Sequence, residues 1–466
     1  MPVPAAHHTA ARGTSEHAAA QQQRPERLTT DDDLFVRMEH ALGVGVINQA
    51  VWRLDGRLSA ENFAGLADRL RQGRLSRVVR RRPAPCRDAW HYTEAAGTDV
   101  FESAPVGEGA ATAWAQHQAD RGVDSVRGPA WRLSAAYSAD GRATYVSLIV
   151  AHAVGDGWSV VTAVEEAVRG TEFDTRIDRS RWTDDIADGM RTATAAALAA
   201  ARLTVAALRS RRDGRTAAPT TATGDPVQTT GADTATAASA DQTPSVLLTI
   251  AADEFIAVAD RTNGTPNALF VGIMVGLLER AGLVSPGDVV PVSLPVSMHP
   301  DGDRKANATT GTSAAIEISD GRYLDLTPIR AACRSAYGGV ADRTSTLGHL
   351  SIVAQSLGDG LVRRLAANQS TPLCLASNLG QLSADFTGLG SGVDATVAVR
   401  AVTDSSPAEL ASLGGGISGW FCLGPETAGL AVTSLDPGRI PDQQSLSTLI
   451  RDELKNWRLN GRSWGA

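Results

Sequence analysis

The N-terminal half of the chain alternates hydrophobic and polar residues in patterns typical of strands and amphipathic helices. The stretch VINQAVWRLDGRL (46–58) alternates as a strand does and contains an Asp-Gly turn, and in SAENFAGLADRLRQG (59–73) apolar residues recur every three to four positions behind a capping serine. Two alternating runs flank the turn ADGR within residues 131–151, which predicts a β-hairpin. The period of two in its second strand continues to His152, so we expect that side chain to point toward the packed side.

The pattern changes after about residue 178. Residues 184–212 predict one long helix with arginines at its C-terminal end, where cations oppose the helix dipole. Its apolar stripe comprises Ile186, Met190, Ala193, Ala197, Leu198, Ala201, Val205 and Leu208. We interpret it first as a packing helix that crosses between domains, and second as a lid or an interfacial membrane contact. The Thr/Ala/Gly/Asp tract at 213–244 has no periodicity and is predicted to be a flexible linker.

The C-terminal half mixes strands and helices. It begins with a strand at 245–251 and a helix from about Asp253, and TPNALFVGIMVGLLERAGL (265–283) is apolar nearly all round, as a buried helix should be. The run VVPVSLPVS (289–297) contains two prolines and is expected to be an edge or bulged strand. Later strands are predicted at 308–318, 373–380, 394–402, 419–424 and 428–435, and helices at 326–340 and 444–460. This mixture lacks the regular βαβ alternation of a doubly wound sheet, so we predict an α/β fold with mixed (α+β) sheets.

The length of the chain suggests how these elements are divided. It has 466 residues, of which 43% are hydrophobic, and this size suits two domains better than one compact core. Residues 1–28 are small, polar and aperiodic, so we predict a disordered leader there. A first lobe at 29–180, a crossing helix and linker at 181–244, and a second lobe at 245–466 then follow.

Charge and cysteine content exclude several classes of function. The formal charge of -7 gives no general attraction to a phosphate backbone, so we expect no nucleic-acid partner. The four cysteines form no CxxC pair, which argues against a zinc ribbon or a redox dithiol, and no Gly-rich phosphate loop follows a strand. The longest apolar run, 268–278, is about half of the roughly 20 residues that a membrane-spanning helix needs. Since the N-terminus has no signal-peptide pattern, we expect a cytoplasmic protein whose thiols are reduced.

The residues that can carry chemistry follow the predicted hairpin directly, where 152–157 spell HAVGDG. Acid-base catalysis at neutral pH needs a group whose pKa lies near that pH, and the imidazole of His152 has this property. The alternative for His152 is a structural role, as a buried histidine at a strand end whose hydrogen bonds are all made within the core. Asp156 could orient the imidazole or form a structural ion pair that shapes the loop. Gly155 and Gly157 are interpreted as permitting a tight turn with positive φ and as leaving room for a substrate chain.

The motif and its surroundings resemble the coenzyme-A-dependent acyltransferase superfamily, whose signature is HHxxxDG. This superfamily includes chloramphenicol acetyltransferase, peptide condensation domains, polyketide-associated acyltransferases and wax ester synthase/diacylglycerol acyltransferases. The match runs from PAWRLSAAY through YVSLIVAHAVGDGWS (129–159), and similar pieces in the same order cover the chain from about residue 30 to its C-terminus. These pieces are LDGRLSAENFAGLADRL, TPNALFVGIMVGLL, PVSL, Asn307 and SNLG (377–380). The resemblance implies two chloramphenicol acetyltransferase-like lobes with an active-site channel between them.

The resemblance also implies roles for individual residues. His152 would be the general base, and Asp156 would form the structural ion pair, with the two motif glycines as support. Two departures from the family pattern bear on these roles. Ala151 stands at the first histidine of the signature, and Pro295 stands where relatives often carry an arginine that can meet the motif aspartate. The partner of Asp156 is therefore unassigned.

Further polar residues are candidates for binding the substrate or the oxyanion of a tetrahedral intermediate. Ser377 and Asn378 belong to the SNLG loop, and Asn307 occupies the place of an asparagine of the family. Asn267 is a further candidate, ranked below these three. One such donor typically lowers the barrier by about 3 kcal/mol. The simpler interpretation of SNLG is a strand-to-loop turn in which Asn378 supplies a positive φ.

The function that these observations favour is transfer of an acyl group from a thioester to an acceptor hydroxyl. The donor would be acyl-CoA or a phosphopantetheine-linked acyl group on an acyl carrier protein, and it would arrive as a substrate, so no bound cofactor and no metal are implied. The expected partners are a small-molecule acyl donor and an acceptor, with an acyl carrier protein as the alternative donor. A peripheral contact with a membrane is also expected. Two alternatives stay open: amide formation with an amine acceptor, and a degenerate, noncatalytic member that binds a carrier or an acyl chain.

Overall fold

The computed structural model describes residues 26–175, 182–212, 243–340, 355–365, 372–404 and 415–465. In this part of the chain, two large mixed sheets with helices packed on them enclose two hydrophobic cores, which confirms the predicted fold class. The helices are α1 (Thr30–His40), α2 (Ala60–Gln72), α3 (Ala111–Asp120), α4 (Gly157–Arg169), α5 (Trp182–Arg212), α6 (Ala252–Arg261), α7 (Pro266–Arg280), α8 (Thr327–Gly338), α9 (Asp359–Leu365), α10 (Ala384–Gly388) and α11 (Gln443–Trp457). The strands are β1 (Val46–Leu54), β2 (Arg77–Arg80), β3 (Ala89–Tyr92), β4 (Gly97–Phe101), β5 (Trp131–Tyr137), β6 (Thr144–Ala151), β7 (Ser245–Ala251), β8 (Val289–Ser297), β9 (Thr309–Glu317), β10 (Cys374–Gln381), β11 (Ala395–Thr403), β12 (Ile417–Leu423), β13 (Thr427–Ser434) and β14 (Arg462–Ser463).

The first sheet contains the predicted hairpin. Its strand order is β11-β1-β6-β5-β4, and β5 pairs antiparallel with β6 so that Ser134 lies opposite Ser147. Strand β1 lies between β6 and β11 and is antiparallel to both. Because β11 comes from the C-terminal half of the chain, the two halves share this sheet. Strand β6 is buried along most of its length and ends at Ala151, one residue before His152.

The second sheet has seven strands in the order β14-β7-β13-β12-β10-β8-β9. Strands β12 and β13 are antiparallel, whereas β10 runs parallel to both β12 and β8. The prolines of β8 predict an edge or bulged strand, and the edge position is wrong, because β8 has a partner on each side and β9 forms the edge. The prolines are tolerated because the pairing of β8 with β10 is confined to Val292 and Ser293, between them.

Helix α7 lies in the middle of the second core, as its apolar sequence predicts. Every residue from Ala268 to Leu278 is buried. Thr265 caps the helix by accepting the N–H of Ala268, and a proline opens the first turn, where no intrahelical donor is needed. A Cβ on Gly276 would overlap the buried carboxylate of Glu453 on α11. The backbone of α7 therefore approaches α11 closely.

The predicted leader and linker fall largely outside the described residues, since 1–25 and 213–242 are not among them. Leu28 is fully buried and its N–H donates to the carbonyl of Asp88, so residues 26–28 pack on the body although their sequence is typical of a leader. All four cysteines are free thiols, as their spacing predicts. Within the described ranges, no helix is both long enough and apolar enough to cross a bilayer.

Helix α5 has the predicted extent but the opposite orientation. Its apolar stripe predicts a buried face, whereas Ile186, Met190 and Leu198 are all exposed; the side chains of Val205 and Leu208 lie outside the described residues. The side that packs on the body carries Asp188, which is buried and forms an ion pair with Arg87 at 2.7 Å. The prediction is wrong because this aspartate finds its partner about a hundred residues away, and local periodicity contains no information about that partner.

Candidate active site

His152 stands where the first sheet passes into the helix that follows it. Its backbone N–H donates to the carbonyl of Val46 at 2.9 Å, which extends the pairing of β6 with β1 by one residue. A turn then leads to α4, whose N-cap is Asp156, and the carboxylate of Asp156 accepts the N–H of Ser159 at 3.0 Å. The motif HAVGDG is therefore a strand end followed by a helix start.

The imidazole of His152 is held at one nitrogen and on one face. Its Nδ1 lies 3.1 Å from Oδ1 of Asn307, and its ring stacks on Phe35 with the centroids 3.7 Å apart. An amide oxygen only accepts hydrogen bonds, so Nδ1 carries the hydrogen and Nε2 keeps a lone pair. Burial lowers the pKa of His152 below its ordinary value, which favours the neutral imidazole.

The orientation of the Asn307 amide follows from its other partners. Its Nδ2 donates to Oδ1 of Asp32 at 3.2 Å and to the carbonyl of Ala153 at 3.1 Å, so its Oδ1 is the atom that faces His152. The backbone N–H of Asn307 donates to the same Asp32 oxygen at 2.8 Å. Asp32 is buried and also completes a capping box with Thr29 at the start of α1. A hydrogen-bonded chain thus runs from Asp32 through Asn307 to His152.

Asp156 turns away from His152 and lies among hydrogen-bond donors of the C-terminal half. Its Oδ2 accepts from Nε2 of His299 at 2.8 Å, from Oγ1 of Thr309 at 2.8 Å and from the N–H of Ala308 at 3.2 Å. Burial raises the pKa of this carboxyl, but the hydrogen bonds and the charge of His299 outweigh it and lower the pKa to about 2. Asp156 is therefore an ionised anchor in the structure.

Asp156 holds both neighbours of Asn307. Its N–H donates to the carbonyl of Ala306 at 3.0 Å, and its carboxylate accepts from the N–H of Ala308. Ser159, in the first turn of α4, also donates its hydroxyl to the carbonyl of Ala306, at 2.8 Å. The segment between β8 and β9 is thus attached to the motif on either side of the asparagine that contacts the imidazole.

His299 is the partner of Asp156 that could not be assigned from the sequence. Its Nε2 faces Asp156, its Nδ1 lies 3.0 Å from Oδ2 of Asp303, and its ring stacks on Trp158 with the centroids 4.2 Å apart. Each ring nitrogen thus faces a carboxylate oxygen, so His299 links Asp156 to Asp303. Sequence reasoning missed this residue, whose side chain is fully buried, because the family pattern points to Pro295, whereas the histidine stands four residues later, beyond the end of β8.

Neither Gly155 nor Gly157 has a positive φ. The expectation of a left-handed turn there is wrong, because the loop reaches the N-cap of α4 with φ outside the left-handed region at both positions. A Cβ on Gly155 would lie 3.2 Å from Cβ of Ser159, and a Cβ on Gly157 would lie 3.5 Å from a methyl group of Leu379. Gly157 therefore faces the SNLG loop.

The SNLG loop comes close to the motif without a hydrogen bond to His152. It ends β10, where the register against β12 shifts. The side chain of Asn378 accepts the N–H of Gly380 at 2.8 Å and donates to Oδ1 of Asn267 at 2.9 Å, and the positive φ belongs to Gly380 rather than to Asn378. Among the described side chains, none of Ser377, Asn378 and Asn267 is hydrogen-bonded to His152. Their role as oxyanion or substrate contacts stays a prediction.

The arrangement provides one unprotonated nitrogen, Nε2 of His152, that can accept a proton from a substrate. This is how a general base is held when its other ring nitrogen is used for positioning. A separate group of possible metal ligands exists in the described part of the chain, formed by Glu39, His40 and Asp124 with ligand atoms within 4.8 Å of one another. It includes none of the residues around His152.

Comparison with solved structures identifies the fold. The chain is similar to the first condensation domain of the calcium-dependent antibiotic synthetase, with a TM-score of 0.55 and 14% identity over 93% of this chain and 96% of that one. It is also similar to the condensation domain of the Monacolin K polyketide synthase, with a TM-score of 0.51 and 12% identity over 93% and 96% of the two chains. A third similar structure is the wax ester synthase/diacylglycerol acyltransferase from Marinobacter aquaeolei VT8, with a TM-score of 0.51 and 13% identity over 93% and 98%. No protein-family model and no curated protein matches the sequence.

Proposed function

We propose that this chain, which shares the fold of condensation domains and of a wax ester synthase, is an acyltransferase that moves an acyl group from a thioester to an acceptor hydroxyl. The observation that carries the proposal is the hydrogen bond between Nδ1 of His152 and Oδ1 of Asn307, since it leaves Nε2 able to take a proton. The lowered pKa of His152 supports the same role, because a general base must be neutral before the reaction.

The reaction needs one proton transfer and one exchange of bonds at the carbonyl carbon. Nε2 of His152 takes the proton of the acceptor hydroxyl while the hydroxyl oxygen attacks the thioester carbonyl. The tetrahedral intermediate collapses, the C–S bond breaks, and the leaving thiolate takes the proton back from the imidazolium. Nδ1 donates to Asn307 throughout, and this hydrogen bond strengthens while the ring is charged. No acyl group is carried on the protein.

The proposed donor is acyl-CoA or an acyl group on the phosphopantetheine of a carrier protein. The names of the similar structures, condensation domains and a wax ester synthase/diacylglycerol acyltransferase, support acyl transfer as the class of reaction. A hydroxyl acceptor in lipid or polyketide metabolism is favoured over an amine because the sequences of α7 and of the SNLG loop resemble stand-alone ester-forming enzymes of the superfamily.

The surroundings of Asp156 favour a catalytic protein over a noncatalytic member of the superfamily. The departures at Ala151 and Pro295 would, by themselves, suggest that the site has degenerated. However, Nε2 of His299 lies 2.8 Å from Oδ2 of Asp156, so Asp156 has a hydrogen-bond partner although the arginine that relatives often carry is missing. Ala151 pairs with Ile47 inside the first sheet, where it is buried. The anchoring of the motif is thus complete without the two missing residues.

A thiol-release assay tests the proposal. The protein is incubated with a panel of acyl-CoAs and carrier-linked acyl groups together with candidate alcohols and amines, and the products are identified by mass spectrometry. His152→Ala should lower the rate of thiol release by about 10²- to 10⁴-fold. His91→Ala, which removes an exposed histidine on β3, should leave the rate unchanged. The proposal is overturned if no donor in the panel gives thiol release that depends on His152.

A further inference from the structure

Helix α5 exposes an apolar face that the described part of the chain leaves uncovered. The exposed fractions are 73% for Trp182, 51% for Ile186 and 68% for Met190. These residues are four positions apart and therefore fall on one side of the helix, which the exposed Ala193 and Ala197 continue. A cluster of large exposed apolar side chains of this kind is typical of an interaction site.

The opposite side of α5 is attached to the body by polar contacts, which fix the rotation of the helix. Asp185 forms an ion pair with Arg27 at 2.5 Å, and the buried Asp188 forms one with Arg87 at 2.7 Å. Thr192, one turn further on the same side, is also buried. A rotation that buried the apolar residues would break both ion pairs, so the exposed face is a stable feature of the fold.

The charge of the helix beyond these aspartates is positive. From Gly189 to Arg212 the sequence contains five arginines and no acidic residue. Asp185 and Asp188, which precede this stretch, already have arginine partners from the body of the protein. The combination of an apolar face, a tryptophan and excess arginine is the composition of helices that lie in the plane of an anionic membrane surface.

We propose that α5 binds the surface of a bilayer that contains anionic lipids, with Trp182, Ile186 and Met190 inserted among the headgroups. The helix has 31 residues and is therefore about 46 Å long, which allows an extended contact. A second copy of the chain fits this face less well. If two α5 helices packed in parallel, their arginine-rich ends would face each other. If they packed antiparallel, each arginine-rich end would face Asp185 and Asp188, which are already paired with Arg27 and Arg87. The inference does not depend on the proposed reaction.

Co-sedimentation of the full chain with vesicles tests the proposal. We expect binding to vesicles of phosphatidylcholine mixed with phosphatidylglycerol, weaker binding to phosphatidylcholine alone, and release at high salt. The double variant Ile186→Ser/Met190→Ser should lower the partition coefficient by about tenfold or more. Leu324→Ser, which changes a residue 80% exposed elsewhere on the surface, is the matched control and should bind as wild type does. Arg191→Gln should lower binding about fivefold on the mixed vesicles only.

The same protein preparations distinguish a bilayer from a second copy of the chain as the occupant of this face. Equal binding to both kinds of vesicle, or binding that the double variant leaves intact, overturns the proposal. Self-association of the wild type in sedimentation velocity, abolished in the double variant, overturns it in favour of a second copy as the occupant. Far-UV circular dichroism and thiol release without vesicles show whether a variant is folded, since the substituted residues are not among those placed around His152.

Discussion

Replacing Asp156 by asparagine tests whether this carboxylate stabilises the region that holds the candidate base. Asparagine keeps the size of the side chain but removes its charge, so the buried side chain of His299 loses one of its two carboxylate partners. A pKa of about 2 in place of 3.8 corresponds to about 2.5 kcal/mol of the free energy of unfolding. Removing one partner of a buried ion pair typically costs about 3–5 kcal/mol. We therefore expect Asp156→Asn to lower the free energy of unfolding at neutral pH by about 2.5–5 kcal/mol.

The pH dependence of this loss has a definite sign. Because the pKa of Asp156 is lower in the folded state than in the unfolded chain, its contribution is complete above the unfolded-state pKa and disappears as the pH falls toward the folded-state value of about 2. The difference between wild type and Asp156→Asn should therefore be nearly constant from about pH 5 to 7 and should shrink from about pH 4 toward pH 2.

Urea unfolding followed at several pH values measures this difference. Asp385→Asn is the control, since Asp385 pairs with Arg169 at the surface, where both side chains are exposed, so its loss should change the free energy of unfolding little. A difference below about 1 kcal/mol for Asp156→Asn at pH 7, or one that stays the same at pH 3, would contradict this expectation, because the carboxylate would then not be held in its ionised form by the fold.

Asn307→Ala should lower kcat by about 10- to 100-fold in steady-state kinetics, because the hydrogen bond to the charged His152 ring contributes about 1.5–3 kcal/mol. The reaction rate should stay high below pH 6.5, the ordinary pKa of histidine, because burial lowers the pKa of His152 and only the neutral ring acts as a base. A pH-rate profile whose rate already falls at or above pH 6.5 contradicts this. Gly276→Ala should lower the free energy of unfolding by about 1–3 kcal/mol, because its methyl group overlaps the carboxylate of Glu453, whereas Gly311→Ala places a methyl group in open space and should have little effect.

The strands and helices could be predicted from the sequence because their signals are local. The hairpin within residues 131–151 and the buried helix α7 are both specified by residues that are neighbours in the chain. The hairpin strands show an apolar/polar period of two, and α7 is apolar on all sides. The mixed character of the sheets follows from the order of these elements. The presence of β11 in the first sheet could not be predicted, since the patterns within β1 and β11 contain no information about which strand pairs with which.

The sequence-based errors concern features that depend on distant partners. The stripe on α5 predicts a buried face, but the ion pairs of Asp185 with Arg27 and of Asp188 with Arg87 turn the other side toward the body. The glycines at 155 and 157 predict a left-handed turn, but the N-cap of Asp156 starts α4 without one. His299 lies outside every motif of the resemblance, and only the three-dimensional structure brings it to Asp156.

The spacing of His152 and Asp156 in the motif is explained by their hydrogen bonds to one segment, at Asn307 and its two neighbours. Asp156 holds Ala306 and Ala308, the neighbours of Asn307, and the Asn307 side chain holds the imidazole. Asp156 therefore acts on the candidate base through the backbone of another segment, so Asp156→Asn should reduce both stability and kcat. Asn307→Ala should also reduce both, because the Asn307 side chain donates to the buried Asp32 and to the carbonyl of Ala153 as well as holding the imidazole. If this route is correct, the double variant should lose less kcat than the product of the two single losses, because each substitution breaks the same connection to the ring.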